Sequence, residues 1–104
     1  MTPAELTALR ETIMRSRGYF WNDASMEYLL GATGEPGPNH PDQDPAFILE
    51  TLEAMMRDGH EVWFSSAAET FFITGISAPR QSTLALAVCA AYPVWCETKR
   101  KEEV

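Results

Sequence analysis

The sequence predicts an α+β fold: a small helix–sheet–helix sandwich with a central antiparallel hairpin. Three observations carry this. Residues 45–58 place apolar side chains at helical spacing between a capping aspartate and a closing glycine. Two aromatic and β-branched runs, HEVWFSS and TFFITGI, follow with only a short turn between them. A second apolar helical pattern comes after the runs. At 104 residues the chain is read as a single domain, 1–104, and burying roughly 65% of its unfolded surface gives it one modest core.

Within that domain, residues 1–30 form an N-terminal helix and an aromatic segment, 31–44 a Pro/Gly-rich connector, 45–98 a helix–hairpin–helix unit and 99–104 a charged tail. In TPAELTALRETIMRSRG, Thr2 caps, Pro3 suits the first helical position and Glu5 stands at capping-box spacing. Leu6, Leu9 and Ile13 line one face, and Gly18 suits a left-handed closing residue. YFWNDASMEYLL is aromatic and then weakly helical, with Asn22 or Asp23 as its cap. Tyr19, Phe20 and Trp21 are expected in the core, with residues 19–22 either a third strand of the sheet or an extended linker.

GATGEPGPNHPDQDP, residues 31–45, has no strongly apolar side chain and cannot enter a core. It reads as a connector at whose end Asp42 and Asp44 compete to cap the next helix. Helix 45–58 then presents Ile48, Leu49, Leu52, Met55 and Met56. Strands 61–65 and 70–74 turn through Ala67, Ala68 and Glu69 and pair as a hairpin. A last helix, 79–92, is expected to start from Ser77 and Pro79. In it Leu84, Val88, Ala91 and Trp95 share one stripe, and Pro93 kinks or interrupts it. A two-stranded hairpin is marginal alone, so both helices should pack on it. No internal repeat is visible.

Eight basic against 15 acidic residues leave a formal charge of −7, which repels nucleic-acid phosphate and anionic lipid. Glu102 and Glu103 follow the basic run Lys99, Arg100 and Lys101 at once, the mark of a solvated helix end. No secretory pattern opens the chain and no apolar run approaches the ~18 residues of a membrane span, so a cytoplasmic protein is expected. Cys89 and Cys96, about 10 Å apart along one helix, are expected as free thiols.

The signals for chemistry are weak. His40, Asp42 and Asp44 raise a metal site, but their spacing fits neither an EF-hand loop nor a zinc signature, and no metal is assigned. His60 would need a nucleophile or acid within reach, and Ser65, Ser66 and Thr70 are ordinary hairpin residues. Cys89 sits in an apolar face that disfavours a thiolate. Gly31, Gly34 and Gly37 lack the Lys-Ser/Thr of a phosphate loop. The aromatics of VWFSS and TFFIT have no flanking Arg or Lys, so they are read as core rather than as a base-stacking platform. No catalytic residue and no cofactor is assigned, and the chain is read as not an enzyme. Glu50, Glu53, Asp58 and Glu61 cluster on the outer side of the central helix and hairpin start, which keeps an acidic DNA-mimic reading open.

HPDQDPAFILETLEAMMRDGHEVWF, followed by a hairpin and SAPRQSTLALAVCAA, resembles the phage ABA sandwich domain of small phage-encoded proteins. The matching pieces are Pro41 to Asp44 before the helix, Leu52-Glu53 within it, Trp63 in the hairpin, Ser77-Ala78-Pro79 and Leu86 to Cys89, with Gly18-Tyr19 earlier. The cap lacks the family's Ser-Thr pair, and Pro93 falls where such helices continue. The resemblance implies a phage or prophage origin and a helix–sheet–helix sandwich, and implies no reaction.

The expected function is that of a phage- or prophage-encoded accessory protein acting by protein binding. The alternatives are an acidic DNA mimic or other inhibitor of a host defence or DNA-binding protein, and a small metal- or ligand-binding domain. Direct nucleic-acid or membrane partners are not expected. Trp63 opposes Val62 and Phe64, and Phe72 opposes Phe71 and Ile73, so a hairpin covered on one side leaves rings in water. Either residues 1–30 cover that face or a second copy does. Trp63, Phe72, Tyr19 and Trp21 are the candidate interface residues, and a homodimer is the favoured outcome.

Overall fold

Thr2 starts the first helix as its sequence suggests. In the computed structural model, which describes residues 1–102, the Thr2 hydroxyl accepts the Glu5 amide at 3.2 Å and donates to Glu5 Oε1 at 3.0 Å. That pairing opens helix α1 (Pro3–Ser16), whose Ile13 and Met14 are fully buried. Gly18, at φ +88°, then turns the chain into strand β1 (Tyr19–Asn22).

β1 does not join a larger sheet. It pairs antiparallel with β2 (Glu27–Leu30), Tyr19 opposite Leu30 and Asn22 opposite Glu27, and makes a hairpin of its own. The expected third strand and the expected weak helix after it are both replaced by this hairpin. The cause lies in the loop: Asn22 Oδ1 accepts the Ala24 amide at 2.9 Å, and Met26 takes a left-handed φ of +57°. Phe20 and Trp21, expected in the core, stand 49% and 42% exposed.

The connector is stapled along its length. Pro36 bridges to Leu29, the Asn39 side chain accepts the Tyr28 amide, and Pro41 is buried in a 3-10 turn, Pro41–Gln43. The two aspartates divide their work. Asp44 caps helix α2 (Pro45–Arg57), accepting the Ala46 amide at 3.2 Å, whereas Asp42 takes both prongs of the Arg10 guanidinium at 2.7 and 3.1 Å.

Strands β3 (Val62–Ser65) and β4 (Thr70–Ile73) form the second hairpin, Val62 opposite Ile73 and Ser65 opposite Thr70. Its loop, residues 66–69, again ends on a left-handed residue, Glu69 at φ +52°. Each hairpin therefore follows a helix and a left-handed glycine, turns through a four-residue loop, and has a later segment bridged to its second strand: Pro36 to Leu29, Gln81 to Phe71. This repeated pattern is shared in conformation, without a repeat in sequence.

The last helix, α3 (Leu84–Glu102), begins five residues later than Pro79, and Thr83 caps it in place of Ser77, its hydroxyl accepting the Leu86 amide at 3.2 Å. The start is delayed because Gln81 exchanges both backbone hydrogen bonds with Phe71, at 2.7 and 3.0 Å, which holds this stretch extended. Pro93 does not interrupt the helix, which continues to Glu102. Past the proline, Trp95 Nε1–H and Lys99 Nζ both donate to Asp58 Oδ2 at 2.9 Å and tie that half to the end of α2. The end of the expected charged tail, residues 103–104, lies outside the described residues.

α3 is the hub. Its Val88 and Ala91 join Met55 and Ile73 in one cluster, with Val62, Leu84 and Trp95 packed against it. Cys89, beside that stripe, joins Ile13 and Phe47 in another. The result is a mixed α+β slab of 45 × 35 × 21 Å. No helix among the described residues is long and apolar enough to cross a membrane.

Candidate functional site: the outer face of the second hairpin

The second hairpin has two unlike faces. Val62 and Ile73 turn inward onto Met55, Val88 and Ala91. Strand alternation turns Trp63 and Phe72, opposite each other in register, to the other side. Their ring centroids lie 6.3 Å apart, and the Arg80 guanidinium sits 4.5 Å from the Phe72 centroid. Gln81 places that arginine, because its bonds to Phe71 hold the neighbouring residue against β4. Trp63 Nε1–H donates to Glu61 Oε2 at 3.0 Å, which fixes the ring while leaving it 54% exposed. Thr70 shares this face, and among the described residues its hydroxyl is the buried side-chain polar group without a hydrogen-bond partner.

The four candidate interface residues are not gathered in one place. Trp63 and Phe72 make this face, whereas Tyr19 and Trp21 belong to the first hairpin. Tyr19 packs its ring against Gly37, where a Cβ would overlap it. Trp21 meets Tyr28 edge-on at 5.1 Å, and its Nε1–H donates to Asp23 at 2.8 Å. Trp21, Tyr28, Arg10, Arg15, Asn39 and His40 line an open cleft of about 450 Å³ against α1. Several polar groups of this cleft are already engaged. Arg10 holds Asp42, Arg15 lies 2.6 Å from Glu11, and Asn39 accepts from the Tyr28 backbone. The Arg10 fork keeps the Asp42 carboxyl below its ordinary range.

The residues weighed for catalysis are occupied or apart. His60 Nδ1 lies 2.8 Å from the Thr74 carbonyl, at the helix end of the hairpin. Ser65, Ser66 and Thr70 stand at the loop end, roughly 15 Å along the strand. Burial pushes the Cys89 thiol up to about 12, far from a reactive thiolate. The Gly31, Gly34 and Gly37 amides donate to the carbonyls of Gly18, Leu30 and Tyr28, so they form no phosphate cradle. His40, Asp42 and Asp44 are not drawn together as ligands. No group of three metal-ligating side chains converges among the described residues.

Sequence reasoning missed Arg80 and Phe64. Arg80 reaches Phe72 only through the Gln81–Phe71 bridge, for which the sequence holds no signal. Phe64 is on the inward face by alternation, but nearer the loop, and the helices leave it 54% exposed. No protein-family model, curated protein or solved structure matches this chain.

Proposed function

We propose that the chain is a non-catalytic protein-binding module, and that the outer face of the β3–β4 hairpin is where its partner docks. The observation that carries this is the Trp63–Phe72–Arg80 cluster: an exposed ring, a half-buried ring beside it and an exposed cation, held in place by Glu61 and Gln81. Tryptophan and arginine dominate binding energetics when a partner excludes water around them. Covering the exposed half of Trp63, roughly 100 Å², is worth about 2–3 kcal/mol before any polar contact. The partner that fits is a protein with an apolar patch and a carboxylate at its margin to meet Arg80. The resemblance to phage ABA sandwich proteins supports placing this module in a phage or prophage and its action in the bacterial cytoplasm.

The acidic-mimic reading is less well supported. Of the four acids in that cluster, Asp58 is held by Trp95 and Lys99, Glu53 lies 3.8 Å from Arg57, and Glu61 is engaged by Trp63. Capture from a bacterial lysate at low and moderate salt separates the two. An apolar docking face retains its partner at moderate salt, whereas a mimic's grip on a basic protein weakens steeply.

A further inference from the structure

The backbone of the second hairpin leaves one edge open. Phe71 turns its N–H and C=O away from β3, since both are bonded to Gln81. The Thr74 amide bonds the Glu61 carbonyl at 2.8 Å, which sets the same alternation from the other end. In an antiparallel ladder the residues opposite Phe71 and Ile73 must also turn their backbone groups outward. Those residues are Phe64 and Val62. The outer edges of β2 and β4 are each occupied by a bridge, to Pro36 and to Gln81, and α1 packs against β1. β3 has no such cover, and within Val62–Ser65 it has no proline, lysine or bulge to discourage pairing.

We propose that this edge pairs with the same edge of a second copy, β3 against β3 antiparallel about a two-fold axis. This goes beyond the partner-docking reading: it uses the edge of the same hairpin, and shares only Trp63 with the docking face. The outward groups fix the register. Val62 exchanges hydrogen bonds with the partner subunit's Phe64, and Trp63 falls directly opposite the partner subunit's Trp63 in a non-hydrogen-bonded pair. That one register meets both exposed residues at once: Trp63 stacks on its counterpart on the outer side, and Phe64 covers the partner subunit's Val62 on the inner side. Glu61 falls opposite a serine, so no like charges face each other across the seam. The paired sheet has four strands, and its outer face carries the two Trp63–Phe72 clusters side by side. The docking face is thereby doubled, with the stacked Trp63 pair at its centre and a Phe72–Arg80 pair on each side of it.

Light scattering on the full chain at micromolar concentration should give twice the 11.6 kDa chain mass. Phe64→Lys, on the face away from the docking cluster, should return the single mass with an unchanged circular dichroism spectrum, while lysate capture by the outer face persists at reduced strength. Trp63→Cys should form a disulfide-linked pair on mild oxidation, and Phe20→Cys, its counterpart in the first hairpin, should not. A single chain mass for the wild type across the micromolar range overturns the proposal, as does a double mass that survives Phe64→Lys or a link that forms through position 20 and not 63. Loss of capture by Phe72→Ser with the double mass retained leaves this pairing standing and bears on the docking face alone.

Discussion

The Arg10–Asp42 pair is the side-chain contact that ties the connector to α1, with side chains only 18% and 10% exposed. Because the folded-state pKa of Asp42 is depressed, its contribution is present in full above the unfolded value of about 3.9 and is lost as pH falls through the lower folded value. Asp42→Asn should therefore cost about 2 kcal/mol at neutral pH, the worth of hydrogen bonds to a charged partner. The wild-type and variant melting temperatures should converge below pH 4; a gap that stays constant into acid would show that the charge is not what matters. Cys89 makes a second test at this scale. With its thiol pushed up to about 12 and fully buried, it should be inert to thiol reagents at pH 8, where the partly exposed Cys96 reacts. Two thiols titrating rapidly in the native protein would contradict the burial assigned to α3.

Helices α1 and α2 were readable because their ends are written in short side chains: Thr2 with Pro3, Asp44 with Pro45, and the left-handed glycines 18 and 59. The first hairpin was not, because its loop closes on Met26, a residue type with no preference for φ +57°. Its one local signal was Asn22, whose side chain folds onto Ala24 and reads equally well as a helix cap. The delayed start of α3 depends on a long-range bridge between Gln81 and Phe71, which no local propensity encodes. The outward turn of Trp63 and Phe72 could be read from period-two alternation; the arginine over Phe72 could not. Pro93 is the element-scale anomaly. It leaves the Cys89 carbonyl without its usual donor inside a continuous helix. Pro93→Ala should restore that bond and raise stability by about 1–3 kcal/mol in denaturant titration. A loss of stability instead would mean that packing of the proline ring outweighs the missing hydrogen bond.

At the scale of the whole molecule, the slab is 21 Å thick, and its core lies where α3 meets α1, α2 and the second hairpin. Its Cα radius of gyration, 14.3 Å, exceeds the ~13 Å expected of a globular chain this long. A thin shape of that kind cannot cover both faces of its hairpins, and the first hairpin stays beside α1 and the connector instead of folding over the second. Uncovered aromatic side chains are thus a consequence of the architecture, and the proposed function assigns them a partner. The most direct measurement is lysate capture at moderate salt by three forms of the chain: wild type, Phe72→Ser, and Glu50→Lys/Glu53→Lys. A docking face built on aromatic side chains predicts that Phe72→Ser loses the captured protein at least tenfold while the charge-reversed form retains it. Retention by Phe72→Ser together with loss on charge reversal would contradict that account and place the binding surface on the acidic side of α2.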